Sequence, residues 1–151
     1  MREDLGVQDN MSEMTKWDKY FLDVAFLTAD LSHCTRLKVG CIIVKNRRII
    51  SIGYNGMPSK WDNCCETIVD NRLSTKPEVL HAESNAIAKL AQSHESAEGA
   101  TIYITHSPCM ECAKLIYQSG IKYLFYDKEY RDSAGIDFLK NSGVLVTKSH
   151  G

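Results

Sequence analysis

Two short stretches carry the residue types that do chemistry: "HAE" at residues 81–83 and "PCMEC" at 108–112. Cys109 and Cys112 stand three apart, so on a helix they share one face. Both fall in the first turn after Pro108, where open backbone N–H groups and the positive end of the helix dipole favour thiolates. Thiolate sulfur with imidazole nitrogen is a zinc donor set, and three protein ligands with an open fourth position mark a catalytic centre. His81, at the mouth of another helix, supplies the third donor and leaves the fourth position to water. Glu83, two residues further on, is placed to hydrogen-bond that water and to carry a proton from it to a substrate.

These residues need elements to bring them together. "MTKWDKYFLDVAFLTADLS" (14–32) reads as a helix with Trp17, Phe21, Val24 and Leu31 on its apolar side. "GCIIVKNRRIISIGY" (40–54) is two apolar runs around Asn46-Arg47, a β-hairpin covered on both faces. Residues 55–79 read as a long loop rich in Gly, Pro, Asn and Ser, a length that usually accompanies function. "HAESNAIAKLAQ" is a helix with Ala86, Ile87, Leu90 and Ala91 on one face, and "ATIYITH" a strand. "SPCMECAKLIYQSG" is a helix ended by Gly120, "IKYLFY" a strand, "DSAGIDFLKNSG" a short helix and "VLVT" a last strand. A hairpin followed by alternating helices and strands predicts a mixed sheet between helical layers.

Composition narrows the function. The chain has 151 residues, 44% hydrophobic and 25% charged, with a net charge of −1, which suits one domain over 13–151 behind a loose tail at 1–12. The near-neutral balance lacks the basic stripe of a nucleic-acid polymer binder. No apolar run reaches the roughly 20 residues of a membrane span. The polar, acidic N-terminal stretch does not read as an export signal, so the expected compartment is the reducing cytoplasm, where structural disulfides are not expected. Of the six cysteines, Cys34 and Cys41 read as small buried hydrophobes, and only Cys109 and Cys112 show metal spacing.

His-x-Glu followed by Pro-Cys-x-x-Cys is the signature of the zinc deaminases. From Trp17 to Val146, "RLKVGCIIVKNRRIISIGYNGMPS", "LHAESNAIAKLA" and "TIYITHSPCMECAKLIYQSGIK" resemble the deoxycytidylate (dCMP) deaminases of the cytidine deaminase superfamily, and "GYNGMP" with "HAE-x-NAI" separates that branch from others. The resemblance implies a three-layer α/β/α fold with a five-stranded mixed sheet, zinc on His81, Cys109 and Cys112, and Glu83 as the proton carrier. The implied reaction is hydrolysis of dCMP to dUMP and ammonia, supplying dUMP for thymidylate synthesis. It further implies that the N–H beside Cys109 and the carbonyls near Ala82 and Ser107 read the base edge, and that Asn55 holds the sugar. Arg36 and Lys38 are candidates for the phosphate, or a surface basic pair; Tyr126 and Tyr130 are candidates for a pocket wall, or packing aromatics.

The same resemblance implies a homohexamer activated by dCTP and inhibited by dTTP, the effector binding with Mg²⁺ near Gly53, Tyr54, Gly56, Asn85 and the long loop. Some relatives carry a second, structural zinc, for which Cys64, Cys65, His94 and His106 are candidates; the alternative is loop cysteines and surface histidines. Two rival readings remain open: a deaminase of another nucleoside, base or tRNA adenosine on the same fold, and a non-catalytic domain stapled by four zinc ligands.

Overall fold

The computed structural model describes residues 14–149; the tail expected at 1–12 lies outside the described residues. Helix α1 (Lys16–Ala29) leads into strands β1 (Gly40–Lys45) and β2 (Arg48–Tyr54), then a separate hairpin of β3 (Glu66–Val69) and β4 (Arg72–Thr75). Helix α2 (Ala82–Leu90), β5 (Thr101–His106), α3 (Met110–Gln118), β6 (Tyr123–Lys128), α4 (Ala134–Asn141) and β7 (Leu145–Lys148) follow. The main sheet has five strands in the order β2-β1-β5-β6-β7. It is mixed, antiparallel from β2 through β5 and parallel from β5 through β7. The expected three-layer architecture is present.

Side-chain alternation explains why the central strands read as continuous apolar runs. Cys41 and Ile43, Ile102 and Ile104, and Leu124 and Tyr126 pack with residues of α2, α3 and α4, such as Ala86, Ile116 and Leu139. Ile42 and Val44, Tyr103, and Tyr123 and Phe125 pack with Phe21, Leu22 and Ala25 of α1. Each face of the sheet thus has its own core, and both must be apolar. Helix α1 differs from its sequence reading. Its buried side is Asp18, Phe21, Leu22, Ala25, Thr28 and Ala29, while Trp17 is partly exposed and Leu31 lies beyond the helix end in solvent. Thr15 and Asp18 form a reciprocal cap, and the Asp18 carboxylate also accepts the Tyr103 hydroxyl at 2.7 Å, which anchors the helix start to the sheet.

The hairpin turn expected at Asn46-Arg47 forms, with φ of 53° and 60° at the two residues. A second turn of this kind at Asp70-Asn71, with φ of 52° and 63°, makes the β3–β4 hairpin within what the sequence reading left as loop. Cys34 and Cys65 are joined by a disulfide, against the expectation of none. Both are buried, as a small hydrophobe would be, but the bond fixes the loop after α1 to the start of β3. Among the described residues no helix is long and apolar enough to cross a membrane.

Candidate active site

Two helix starts converge at one end of the sheet. His81 is the N-cap of α2 and Cys109 the N-cap of α3, both in extended backbone. N-caps usually hydrogen-bond their own helix through Ser, Thr, Asp or Asn. Neither side chain here does so, which leaves both free to face each other. His81 Nδ1 lies 3.3 Å from Cys112 Sγ and 3.5 Å from Cys109 Sγ. Tetrahedral zinc with ordinary Zn–N and Zn–S bonds separates such atoms by about 3.5 Å. The three donors fit zinc in chemistry and in spacing.

The local electrostatics match a metal-binding trio. Cys109 is pushed down to about 3, chiefly by its hydrogen bond with Cys112 and then by that with His81. Cys112 moves in the opposite direction, first through the same hydrogen bond and then through burial. The two sulfurs titrate as a pair in which Cys109 gives up its proton first. His81 is raised, first by its contact with Cys109. Glu83, buried in the first turn of α2, is pushed up to about 7 by desolvation, outweighing a backbone hydrogen bond and the pull of His81. A carboxyl poised near neutrality can both take and give a proton.

Close backbone approach sets this geometry. A Cβ at Gly53 would meet the Ala82 carbonyl oxygen at 2.2 Å, so β2 touches the start of α2 only because residue 53 is glycine. Buried Cys41 donates its thiol to that same carbonyl at 3.3 Å. On the other side, a Cβ at Gly135 would meet the Pro108 carbonyl at 2.3 Å, which lets α4 support the turn that carries Cys109.

A cavity of about 670 Å³ opens above the trio, with His81, Ala82, Glu83, Ser107 and Cys109 in its lining. Arg36, Asn55 and Tyr130, all candidates of the sequence reading, are in the lining as well. The Asn55 amide accepts the Val39 N–H at 2.9 Å and donates to the Leu37 carbonyl at 2.7 Å. One N–H and one lone pair remain for a ligand. Ser107 is buried and its hydroxyl accepts the Tyr130 N–H at 2.7 Å, holding the loop after β6 over the cavity. Two candidates take the alternative reading. Lys38 is exposed and off the lining, although Arg36, Leu37 and Val39 around it are in the lining. Tyr126 packs in the core, its hydroxyl donating to Glu129 at 3.2 Å.

The sequence reading missed Lys128 and Arg131, which line the cavity from the last residue of β6 and the segment after it. The charged run "DKEYR" beyond a parallel strand is the signal, because ligands bind at the carboxyl ends of such strands. It also missed what steadies Arg36. Glu66 Oε2 accepts the N–H groups of Thr35 at 2.9 Å and Arg36 at 3.1 Å, and the Arg36 guanidinium donates to Thr75 Oγ1 at 2.9 Å. The β3–β4 hairpin and the disulfide therefore present Arg36 to the cavity. Burial alone would raise the Glu66 carboxyl, but the two backbone donors leave it below its ordinary value.

The candidate second zinc set does not assemble. Among the described residues, the groups of three or more ligating side chains are His81–Cys109–Cys112 and Cys34–Cys65–Glu66. Cys65 is bonded to Cys34, Cys64 and His94 are exposed, and His106 lines the main cavity instead. A smaller cavity of about 310 Å³ is lined by Tyr54, Gly56 and Asn85 with Lys60 and Lys89, and shares Asn55 with the first. Asn85 donates to the Tyr54 carbonyl at 2.9 Å. Gly53 is not in this lining; its role is the close contact with α2.

Comparison with known proteins agrees with this geometry. Residues 15–128 match the family model described as the cytidine and deoxycytidylate deaminase zinc-binding region. The crystal structure of the dCMP deaminase of cyanophage S-TIM5 in complex with dCMP and dUMP superposes with a TM-score of 0.85 at 44% identity, covering 91% of this chain and 99% of that one. The deoxycytidylate deaminase of Enterobacteria phage T4 is 37% identical over 165 residues, which is 83% of this chain and 86% of that protein. The Saccharomyces cerevisiae deoxycytidylate deaminase is 37% identical over 138 residues, 86% of this chain but 44% of the yeast protein. The chain belongs to the cytidine and deoxycytidylate deaminase family.

Proposed function

We propose that this protein hydrolyses dCMP to dUMP and ammonia. The observation that carries the reading is the convergence of His81, Cys109 and Cys112 beside the buried Glu83, on the floor of a cavity whose rim carries Arg36 and Arg131. Zinc, when bound by the three side chains, supplies a Lewis acid that makes water a nucleophile at neutral pH. Glu83 takes a proton from the attacking water and delivers it to N3 of the pyrimidine as C4 becomes tetrahedral. It then passes the second proton to the departing amine, so water and dCMP leave as ammonia and dUMP. The carbonyls near Ala82 and Ser107 and the N–H beside Cys109 orient the base edge, and Asn55 the sugar. Arg36 and Arg131 face the phosphate, where a guanidinium fork suits a tetrahedral anion. Support for the substrate comes from the likeness to the cyanophage enzyme, whose crystal structure holds dCMP and dUMP.

We extend the reading to regulation. The smaller cavity, with Tyr54, Gly56, Asn85 and two lysines, is assigned to an effector triphosphate with Mg²⁺, dCTP activating and dTTP inhibiting, in a hexamer that works in the cytoplasm and supplies dUMP for thymidylate synthesis. Lys89 lies 5.7 Å from the centre of the Tyr54 ring and donates to the Ile52 carbonyl at 3.0 Å, which links that cavity to β2 and so to the start of α2. The test follows dCMP loss in ultraviolet absorbance with and without dCTP·Mg²⁺. The expected result is dUMP formation whose rate or sigmoidicity responds to the effector. Turnover indifferent to dCTP·Mg²⁺ would remove the regulatory part and leave the reaction.

The Glu66 bracket gives a separate prediction. Glu66→Ala frees two backbone N–H groups behind Arg36 and raises KM for dCMP about tenfold with kcat within about threefold, the effect expected of losing a charge-assisted hydrogen bond. Because the Glu66 carboxyl is lowered in the folded chain, its stabilising effect is complete above the ordinary glutamate range and disappears as pH falls through the lowered value. Steady-state kinetics and acid titration of the variant beside the unaltered enzyme read both effects.

A further inference from the structure

We propose that His106 is a specificity-determining residue, a neutral imidazole whose Nε2–H donates to the phosphate of the bound nucleotide. This rests on reading the cavity as a 5′-nucleotide site. His106 ends β5 and lines that cavity, half-buried. Its neighbour Thr105 is fully buried, so the hydroxyl needs an acceptor for its single proton. Thr105 Oγ1 already accepts the Gly40 N–H at 3.2 Å, and its other partner is His106 Nδ1 at 2.8 Å. The hydroxyl proton therefore points at Nδ1, which must be bare, and the ring's own proton sits on Nε2.

Protonating Nδ1 would turn that acceptor into a donor and leave the buried hydroxyl proton without an acceptor. Burial and the adjacent Lys128, its register partner on β6, also hold the imidazole below its ordinary pKa. The ring thus stays a neutral donor. Its surroundings fit an anion. Arg36, Lys128 and Arg131 line the same cavity. Three carboxylates line it too: Glu83 stands by the zinc ligands, Glu66 Oε2 is taken by the N–H groups of Thr35 and Arg36, and Glu129 pairs with Lys148 at 3.2 Å, while Lys128 pairs with Asp127 at 3.6 Å. The two arginines supply charge, and the imidazole supplies a directed N–H with no further cation to desolvate.

Two variants of the zinc-loaded enzyme separate this role from packing. His106→Asn keeps an acceptor near the Nδ1 position for Thr105 and withdraws the donor from the cavity. His106→Gln restores an N–H close to the Nε2 position. His106→Asn is expected to raise both KM for dCMP and Ki for competing inorganic phosphate about tenfold, with kcat within about twofold. His106→Gln is expected to stay within about threefold of the unaltered enzyme. An unchanged Ki for phosphate in His106→Asn, or a fall in kcat with KM and Ki unmoved, would overturn the assignment.

Should a variant fail to fold, ¹⁵N NMR of the unaltered zinc protein decides. A bare Nδ1, with an Nε2–H that responds to inorganic phosphate, supports the role, and the opposite tautomer overturns it. If the unaltered enzyme were inert toward dCMP, the nucleotide reading would fall, while the NMR response to phosphate would still decide for or against His106.

Discussion

Glu83→Gln is expected to keep the zinc and the fold while lowering kcat for dCMP about 10³-fold, the scale of a lost proton carrier. The substitution preserves size and hydrogen bonding but ends proton transfer. It sits on a buried side chain in the first turn of α2, where the neutral amide replaces a carboxyl that desolvation raises to about 7, so that ionisation of the carboxyl is already disfavoured there. Glutamine avoids the desolvation cost of the buried carboxylate, so little loss of stability follows. Metal content by elemental analysis, thermal melting and single-turnover kinetics on the same sample separate the effects. A variant that loses zinc along with activity would make Glu83 a structural partner of the metal site. A variant that keeps full activity would remove it from the mechanism.

Stripping the metal is expected to abolish turnover and to lower the melting temperature, with both restored by one equivalent of zinc per chain. The ligands come from the mouths of two helices, so binding fastens α2 to α3. Zinc at a thousandfold excess over its dissociation constant adds about 4 kcal/mol. For a domain of this size that corresponds to a rise in melting temperature of about 10 °C. A chelator titration followed by calorimetry and activity reads both quantities. Activity that persists after complete removal would contradict the zinc reading. Two zinc ions per chain would reopen a second site, which the bond between Cys34 and Cys65 argues against.

The chemical centre was legible because its information is local. His81 and Glu83 lie on either side of Ala82, and Cys109 and Cys112 share one turn, so the pattern needs only the knowledge that two helices begin there. The main sheet was legible for a related reason, since strands covered on both faces leave apolar runs that turns interrupt. What depends on approach between distant segments was not. Cys34 and Cys65 are 31 residues apart, and nothing in their spacing says that the loop after α1 meets β3. The β3–β4 hairpin has four-residue strands with largely exposed side chains, too short for periodicity to register, although the Asp70-Asn71 turn was a usable signal.

Alternation accounts for the misplaced binding residues. Tyr126 was a candidate for the pocket wall or for packing; on β6 it shares its side with Leu124 and so enters the core beneath α2, α3 and α4. The cavity residues of that segment begin at the strand's last residue, Lys128, and run on through Glu129, Tyr130 and Arg131, where the chain is no longer bound to the pleat. His106 shows the converse. Grouped with three other candidate ligands, Cys64, Cys65 and His94, it was weighed for a metal site, whereas the hydroxyl of Thr105 ties it to the main cavity.

The central claim is the reaction itself. The most direct measurement offers the zinc-loaded protein dCMP, deoxycytidine, CMP and dCTP in parallel and follows ultraviolet absorbance. The account predicts loss of dCMP alone, with equal amounts of dUMP and ammonia formed. Turnover of deoxycytidine in place of dCMP would contradict the nucleotide site while sparing the proton chemistry of Glu83. No turnover of any of the four, with and without dCTP·Mg²⁺, would contradict the account as a whole.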